Sequence, residues 1–448
     1  MRSATMTQTV VAGLVAVGML TSACSGPGGG GASPGGSSDE SADWGEATGT
    51  VEFWDTNANP VLTAAWEELI AEFEAEHPDI DVEYVGLPNS SYLQKLDNAL
   101  ASGQVPDVTL IGNDVAHFIA QNAMTPLDNA FDRDLAVLVD PSLVERERSN
   151  APDGTLYKAP LTALSDVLWY RTDWLDDAGL DLPTTWDEFY DVAEAVTDKG
   201  KGQFGFAFRG GAGSIPPLFS MAYGMSGIGE FYTGDGEATL DDPAMIDAIE
   251  RYVSLFTDVS ASADLTNDYP KIVAAFGGGS AWSMHHNLGS YQDHAGALGA
   301  DNIRGAQPYP DKNGVATATA PAISGLGILN GSDNKAAAWE FVRFMSTQGN
   351  SAWAKAVGQV PASLEAIGDQ WVTDSQPLQD IVALSENDAT QYVQLPVYLP
   401  DYGSILKTEM EPDLQSVLQG SMTVEDFATT YAERFEEALV EYQTYSAS

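Results

Sequence analysis

The strongest constraint on the fold is the order of hydrophobic periods between residues 50 and 121. Thr50-Val51-Glu52-Phe53-Trp54 alternates as a short strand. Pro60 opens a helix whose apolar face, Leu62, Trp66, Leu69 and Phe73, is spaced 4, 3 and 4. Residues 80–85 alternate again, and residues 92–101 read as a helix ended by Gly103. Residues 108–111 form a buried strand and 115–121 a short helix. This β-α-β-α-β-α order predicts a parallel sheet with right-handed crossovers. Open sheets of that kind bind ligands beyond the carboxyl ends of their strands. Here those ends are the polar loops 55–59 and 112–114.

The alternation continues downstream. Residues 167–170 read as a strand, and Thr185 with Glu188 has capping-box spacing ahead of a helix through Phe189, Val192 and Val196. Residues 205–208 are a strand ending at Arg209, and 281–285 another after a triple-glycine turn. Residues 335–346 are strongly helical, and the last hundred residues are mostly helical with a break at 396–400. Trp66, Trp169, Trp186, Trp282, Trp339 and Trp353 sit at helix or strand periodicity and are predicted core.

With 19 basic and 65 acidic residues, the formal charge is −46. No basic stripe is available to neutralise phosphates, which argues against nucleic acid and against charge-driven adhesion to an anionic membrane. The scattered acids read as a solvated, mutually repelling surface.

Cys24 is the lone cysteine. It excludes an internal disulfide and a cysteine-based metal cluster. Arg2 precedes an apolar run over 10–20, too short to span a bilayer and suited to a secretory signal. Leu20-Thr21-Ser22-Ala23-Cys24 resembles a bacterial lipoprotein signal, with Thr21 where leucine is usual. That resemblance implies a signal peptide over 1–23 and lipidation of Cys24. Residues 24–49 are rich in Gly, Ser and Pro and read as a flexible tether.

Four segments carry a wider resemblance. They are Val51-Glu52-Phe53-Trp54 with the helix to His77-Pro78-Asp79-Ile80; Gly103-Gln104-Val105-Pro106-Asp107-Val108; Leu168-Trp169-Tyr170-Arg171-Thr172-Asp173 with Pro183-Thr184-Thr185-Trp186-Asp187-Glu188-Phe189; and Ser324-Gly325-Leu326-Gly327-Ile328 with Gly358-Gln359-Val360-Pro361. In order and spacing the chain resembles the extracytoplasmic solute-binding proteins of ABC importers, in the sugar-binding group that includes maltose-binding protein. The resemblance implies an α/β, periplasmic-binding-protein-like fold of two lobes, with a hinge and an interlobe ligand cleft. The first lobe would be 50–163 plus 320–362, and the second 164–319 plus 363–448. It also implies a monomer, lipid-anchored on the outer face of a bacterial cytoplasmic membrane. That monomer would capture a carbohydrate and deliver it to permease subunits, with no cofactor and no catalytic residue.

By the same resemblance, the ligand residues would be Trp54, Asn57 and Asn59 after the first strand, and Asn113 and Asp114 after the third. Arg209, His286, Asn287, Tyr398 and Tyr402 would complete the set. Asp114 matches an acidic position that contacts sugar hydroxyls in relatives. Where relatives carry a stacking tryptophan, this chain has Gly289, with Tyr291 nearby. Each residue has a plainer role as well: Trp54 as core, Asn57 and Asn59 as turn formers, Asp114 as a helix cap.

Motifs for chemistry are weak. His285 and His286 are neighbours on a strand, so they face opposite ways and do not share an ion, even with His294 near in sequence. Ser404-Ile405-Leu406-Lys407 and Ser332-Asp333-Asn334 match short hydrolase patterns in the wrong order and without the third motif. Alternatives kept open are the same fold binding a polyol, a glycerophosphodiester or iron, and a secreted lipoprotein glycosidase.

Overall fold

The computed structural model describes residues 44–446, apart from 90, 307, 312, 386 and 388. The expected signal 1–23, Cys24 and the tether up to residue 43 lie outside the described residues. Packing begins earlier than the expected boundary at residue 50. Trp44 meets Trp339 edge to face, with ring centroids 6.1 Å apart.

The first sheet is six-stranded. Its members are β1 (Gly49–Asp55), β2 (Ile80–Gly86), β3 (Val108–Ile111) and β4 (Ala159–Leu164). The chain then leaves for a second sheet of β5 (Asp166–Arg171), β6 (Phe204–Ala207), β7 (Ala281–Asn287) and β8 (Ile303–Ala306). β9 (Ala316–Thr319) lies outside both sheets, and β10 (Ala322–Ile328) and β11 (Val360–Pro361) return to the first. β12 (Thr390–Val393) pairs with β9 in parallel. The first sheet runs β11-β4-β10-β3-β1-β2, and the second β6-β7-β5-β8.

The expected parallel order holds for β2, β1 and β3. The sheet as a whole is mixed, because β10 enters antiparallel between β3 and β4. A strand from so far along the chain approaches from the opposite direction and leaves no trace in the local period of residues 50–121. Ser165 alone separates β4 from β5, so one residue passes the chain from sheet to sheet.

Each sheet has its own core. Leu62, Trp66, Leu69 and Phe73 are all buried against the first sheet, as their spacing predicts. Trp66 packs on Phe53 and Trp353, with ring centroids 4.6 and 4.0 Å apart. In the second core Tyr170 stacks on Trp282 at 5.0 Å. Trp169 and Trp339 are buried too, while Trp186 is half-buried and donates from Nε1 to the Gly224 carbonyl at 2.9 Å. Burying aromatic side chains of this size contributes roughly 3–5 kcal/mol each relative to alanine. Among the described residues no helix is long and apolar enough to cross a membrane.

Candidate functional site

A cavity of about 840 Å³ opens where the two sheets face each other. Its wall takes Leu164 from the end of β4, Ala322 and Ile323 from the start of β10, Asp166 from the start of β5, and His286 with Asn287 from the end of β7. Residues 394–406 and the end of the helix Val424–Ser446 close another side.

A buried ion pair underlies the first-sheet side. The Lys158 ammonium sits 3.1 Å from a Glu147 carboxylate oxygen, with both side chains almost wholly covered. Lys158 also donates to the carbonyls of Gly112 at 3.0 Å and Ile323 at 2.8 Å. It thereby ties the loop after β3 and strand β10 to the helix Pro141–Arg148. Burial pushes the Glu147 carboxyl up and the Lys158 ammonium down, and the attraction of each for the other opposes that. Next to them, Arg146 donates from Nη2 to the Pro321 carbonyl and lines the cavity.

On the second-sheet side, Arg209 lies close against the backbone of Gly213. A Cβ there would come within 2.0 Å of the guanidinium, and φ is +79°. The positive φ favours glycine, and a side chain there would push the guanidinium from its place. The Arg209 Nε donates to the Ala212 carbonyl at 2.7 Å, and Glu411 accepts from the Gly213 N–H at 2.7 Å. Asp166 and Glu411 supply the negative charge that opposes desolvation of Arg209. His286 is buried and stacks on Tyr269 at 4.4 Å. Burial, then the charge of Arg209, hold its imidazole well below the usual histidine range, so it is neutral. His285 points the other way and meets the Ser220 hydroxyl at 3.0 Å, in line with strand alternation.

Asn113, Arg209, His286, Asn287, Tyr398 and Tyr402 thus line one cavity. Trp54, Asn57, Asn59 and Asp114 do not. Trp54 packs against the small core around Leu96 and Phe118 and donates to Glu52 at 2.6 Å. Asn57 is exposed, its N–H held by Asp55 at 2.9 Å. Asn59 caps the helix Pro60–Glu76, accepting from the N–H groups of Val61 and Leu62 at 3.1 Å. Asp114 makes no side-chain cap for the helix Val115–Ala120. Its Oδ2 accepts from the Tyr92 hydroxyl and, at 3.3 Å, from Lys407.

Gly289 cannot be replaced by a stacking ring without rearrangement. A Cβ there would lie 2.9 Å from Asn287 Oδ1 and 3.0 Å from the Val357 carbonyl. The aromatic wall comes from elsewhere: Tyr398 and Tyr442, with ring centroids 4.9 Å apart. Sequence reasoning missed Tyr442, along with Arg146, Asp166 and Gln394. The available signal was the i, i+3, i+4 set Leu439, Tyr442, Gln443 on one face of the last helix, and all three reach the cavity.

Known proteins place this architecture. The maltotriose-binding protein of Pyrococcus abyssi is 24% identical over 395 residues, covering 83% of this chain and 81% of that one. The Escherichia coli protein YcjN is 25% identical over 248 residues, covering 52% of this chain and 54% of that one. The chain therefore spans about half the length of the first curated relatives it matches. Among solved structures, the GacH receptor of Streptomyces glaucescens superposes with a TM-score of 0.74 at 24% identity, covering 88% of this chain and 99% of that one. Maltose-bound MalE3 of T. maritima gives 0.75 at 19% identity, covering 86% and 99%. Both share the periplasmic-binding-protein-like α/β fold. The sequence pattern of the bacterial extracellular solute-binding proteins matches residues 59–352, and this chain belongs to that family.

Proposed function

We propose that the chain is the receptor of an ABC importer that captures a carbohydrate outside the membrane and hands it to permease subunits without altering it. The observation that carries this reading is the composition of the cavity between the sheets. Planar amides (Asn113, Asn287, Gln394) and guanidinium groups (Arg146, Arg209) offer directed hydrogen bonds, and Tyr398 and Tyr442 offer ring faces. Sugar hydroxyls match the first set and the C–H face of a pyranose matches the second. At about 840 Å³ the space lies within the range of small-molecule sites. The relative from Pyrococcus abyssi, whose name states maltotriose, supports the carbohydrate reading. Six of the expected ligand residues, from Asn113 to Tyr402, belong to this proposal, joined by Arg146, Gln394 and Tyr442.

The two sheets are the cores of two lobes, near 50–163 plus 320–362 and 164–319 plus 363–448. Ligand closes them by binding the closed state better than the open one. Cys24 carries the lipid, residues 24–43 let the receptor reach a permease nearby, and the receptor works as a monomer at the outer face of the membrane.

A thermal-shift screen of the full chain tests this, with mono- and oligosaccharides, polyols, glycerophosphodiesters and ferric citrate. A ligand at about a hundred times its Kd stabilises by roughly 2.7 kcal/mol. A shift with a sugar that is recovered unchanged is the expected result. A shift only with a polyol, phosphodiester or iron would overturn the sugar, and consumption of the sugar would overturn the receptor.

A further inference from the structure

Lys407 lies on a segment of the second core, Ile405–Met410, whose Ile405, Leu406 and Met410 are buried there. Its partner Asp114 follows β3 of the first sheet. The ammonium is 3.3 Å from Asp114 Oδ2 and 5.7 Å from the centroid of the Tyr92 ring, and the Tyr92 hydroxyl donates to the same carboxylate. The Lys407 side chain is 46% exposed and that of Asp114 only 11%. The contact is also close in shape. A Cβ at Gly403 would fall 2.1 Å from Asp114 Oδ1, so the chain at Gly403 rests directly on the carboxylate. The chain neighbours Asn113, Tyr402 and Leu406 line the cavity. The contact therefore forms just behind the point where the two sides of the cavity wall meet.

We propose that Lys407 is a positioning residue that holds the two sheets closed through Asp114 and Tyr92, and that Asp114 acts in closure rather than on ligand. The proposal rests on the hinge reading above. A rotation that carries Lys407 away from Asp114 breaks this ion pair and exposes a carboxylate now almost covered. The contact thus gives the ligand-free chain a closed population that the ligand enlarges. A partly exposed pair of this kind is weakened by salt, since the screening length is about 3 Å at 1 M.

The test needs no ligand. In the full chain carrying Cys24→Ser, spin labels at Glu68→Cys and Glu250→Cys report the distance between a helix on each sheet. The expected result is a short-distance population in the parent that shrinks in 1 M NaCl. That population is lost in Lys407→Gln and in Gly403→Ala and is retained in Lys407→Arg. Gly403→Ala acts by bulk and Lys407→Gln by charge, so agreement between them assigns the effect to this contact. Identical distance distributions in the parent, Lys407→Gln and Gly403→Ala would overturn the proposal. Failure of every sugar in the thermal screen, with the distances still following Lys407, would remove the carbohydrate and leave the closure mechanism standing.

Discussion

Lys158 and Glu147 form an ion pair at 3.1 Å with only 1% and 4% of their side chains exposed. Removing one member leaves a buried charge without its counterion, a change that costs about 3–5 kcal/mol. Lys158→Met is expected to destabilise by that amount in denaturant titration. The double replacement Lys158→Met, Glu147→Leu should recover most of the loss, because both charges go together. Equal destabilisation by the single and double variants would contradict this account.

Asn59 and Asn113 separate structure from binding. Asn59 caps a helix and lies outside the cavity, whereas Asn113 lines it. Asn59→Ala should cost about 1 kcal/mol of stability, the usual worth of such a cap. Its affinity for whichever sugar shifts the parent should be unchanged. Asn113→Ala should do the reverse. Calorimetric affinity and thermal midpoint, measured on both variants, decide the assignment.

Tyr442 and Tyr398 should carry the stacking contribution that Gly289 does not. Tyr442→Ala is expected to weaken sugar binding about tenfold, equivalent to about 1.4 kcal/mol, and Tyr442→Phe to retain most of it. In contrast, Gly289→Ala should lower stability by about 1–3 kcal/mol through overpacking against Val357. A loss of affinity in Tyr442→Phe equal to that in Tyr442→Ala would show that the hydroxyl, not the ring, is used.

His294 is fully buried between Trp169 and Phe276, and neither ring nitrogen has a hydrogen-bond partner among the described residues. Burial lowers its pKa to about 4 from an ordinary 6.5. The unfolded chain then binds a proton that the folded chain refuses. The stability contribution is complete above pH 6.5 and is lost as pH falls toward 4, by roughly 2–3 kcal/mol at pH 4.5. Denaturation at pH 7 and pH 4.5 should show His294→Leu losing less on acidification than the parent by that amount. Equal acid sensitivity of the two would place a charge-accepting partner near the ring.

The first sheet was legible wherever local spacing decides burial. The set Leu62, Trp66, Leu69 and Phe73 shows the helix, its buried face and the strands on either side. The antiparallel entry of β10 was not legible, because strand direction depends on a path that returns after the whole second sheet. The site was read in part for the same reason. Arg209, His286 and Asn287 were reached through the family resemblance, and they sit just past the end of β6 and at the end of β7. Asn59 ends a strand loop too, but it is committed to its helix. Asp114 is drawn off by Lys407, a residue far along the chain whose approach no local pattern records. Tyr442 lies in a long regular helix and differs from its neighbours only in what faces it.

The placement of β10 also orders events during synthesis. β3 and β4 are joined only through β10, and β11 completes the edge beyond β4. A nascent chain that has released its first 300 residues still lacks the strand that bridges them, so the pairing of its first sheet stays unfinished. Such long-range pairing forms late and slowly. The first sheet therefore stays open for most of the chain's translation. Only after residue 361 has emerged is every strand of the first sheet present.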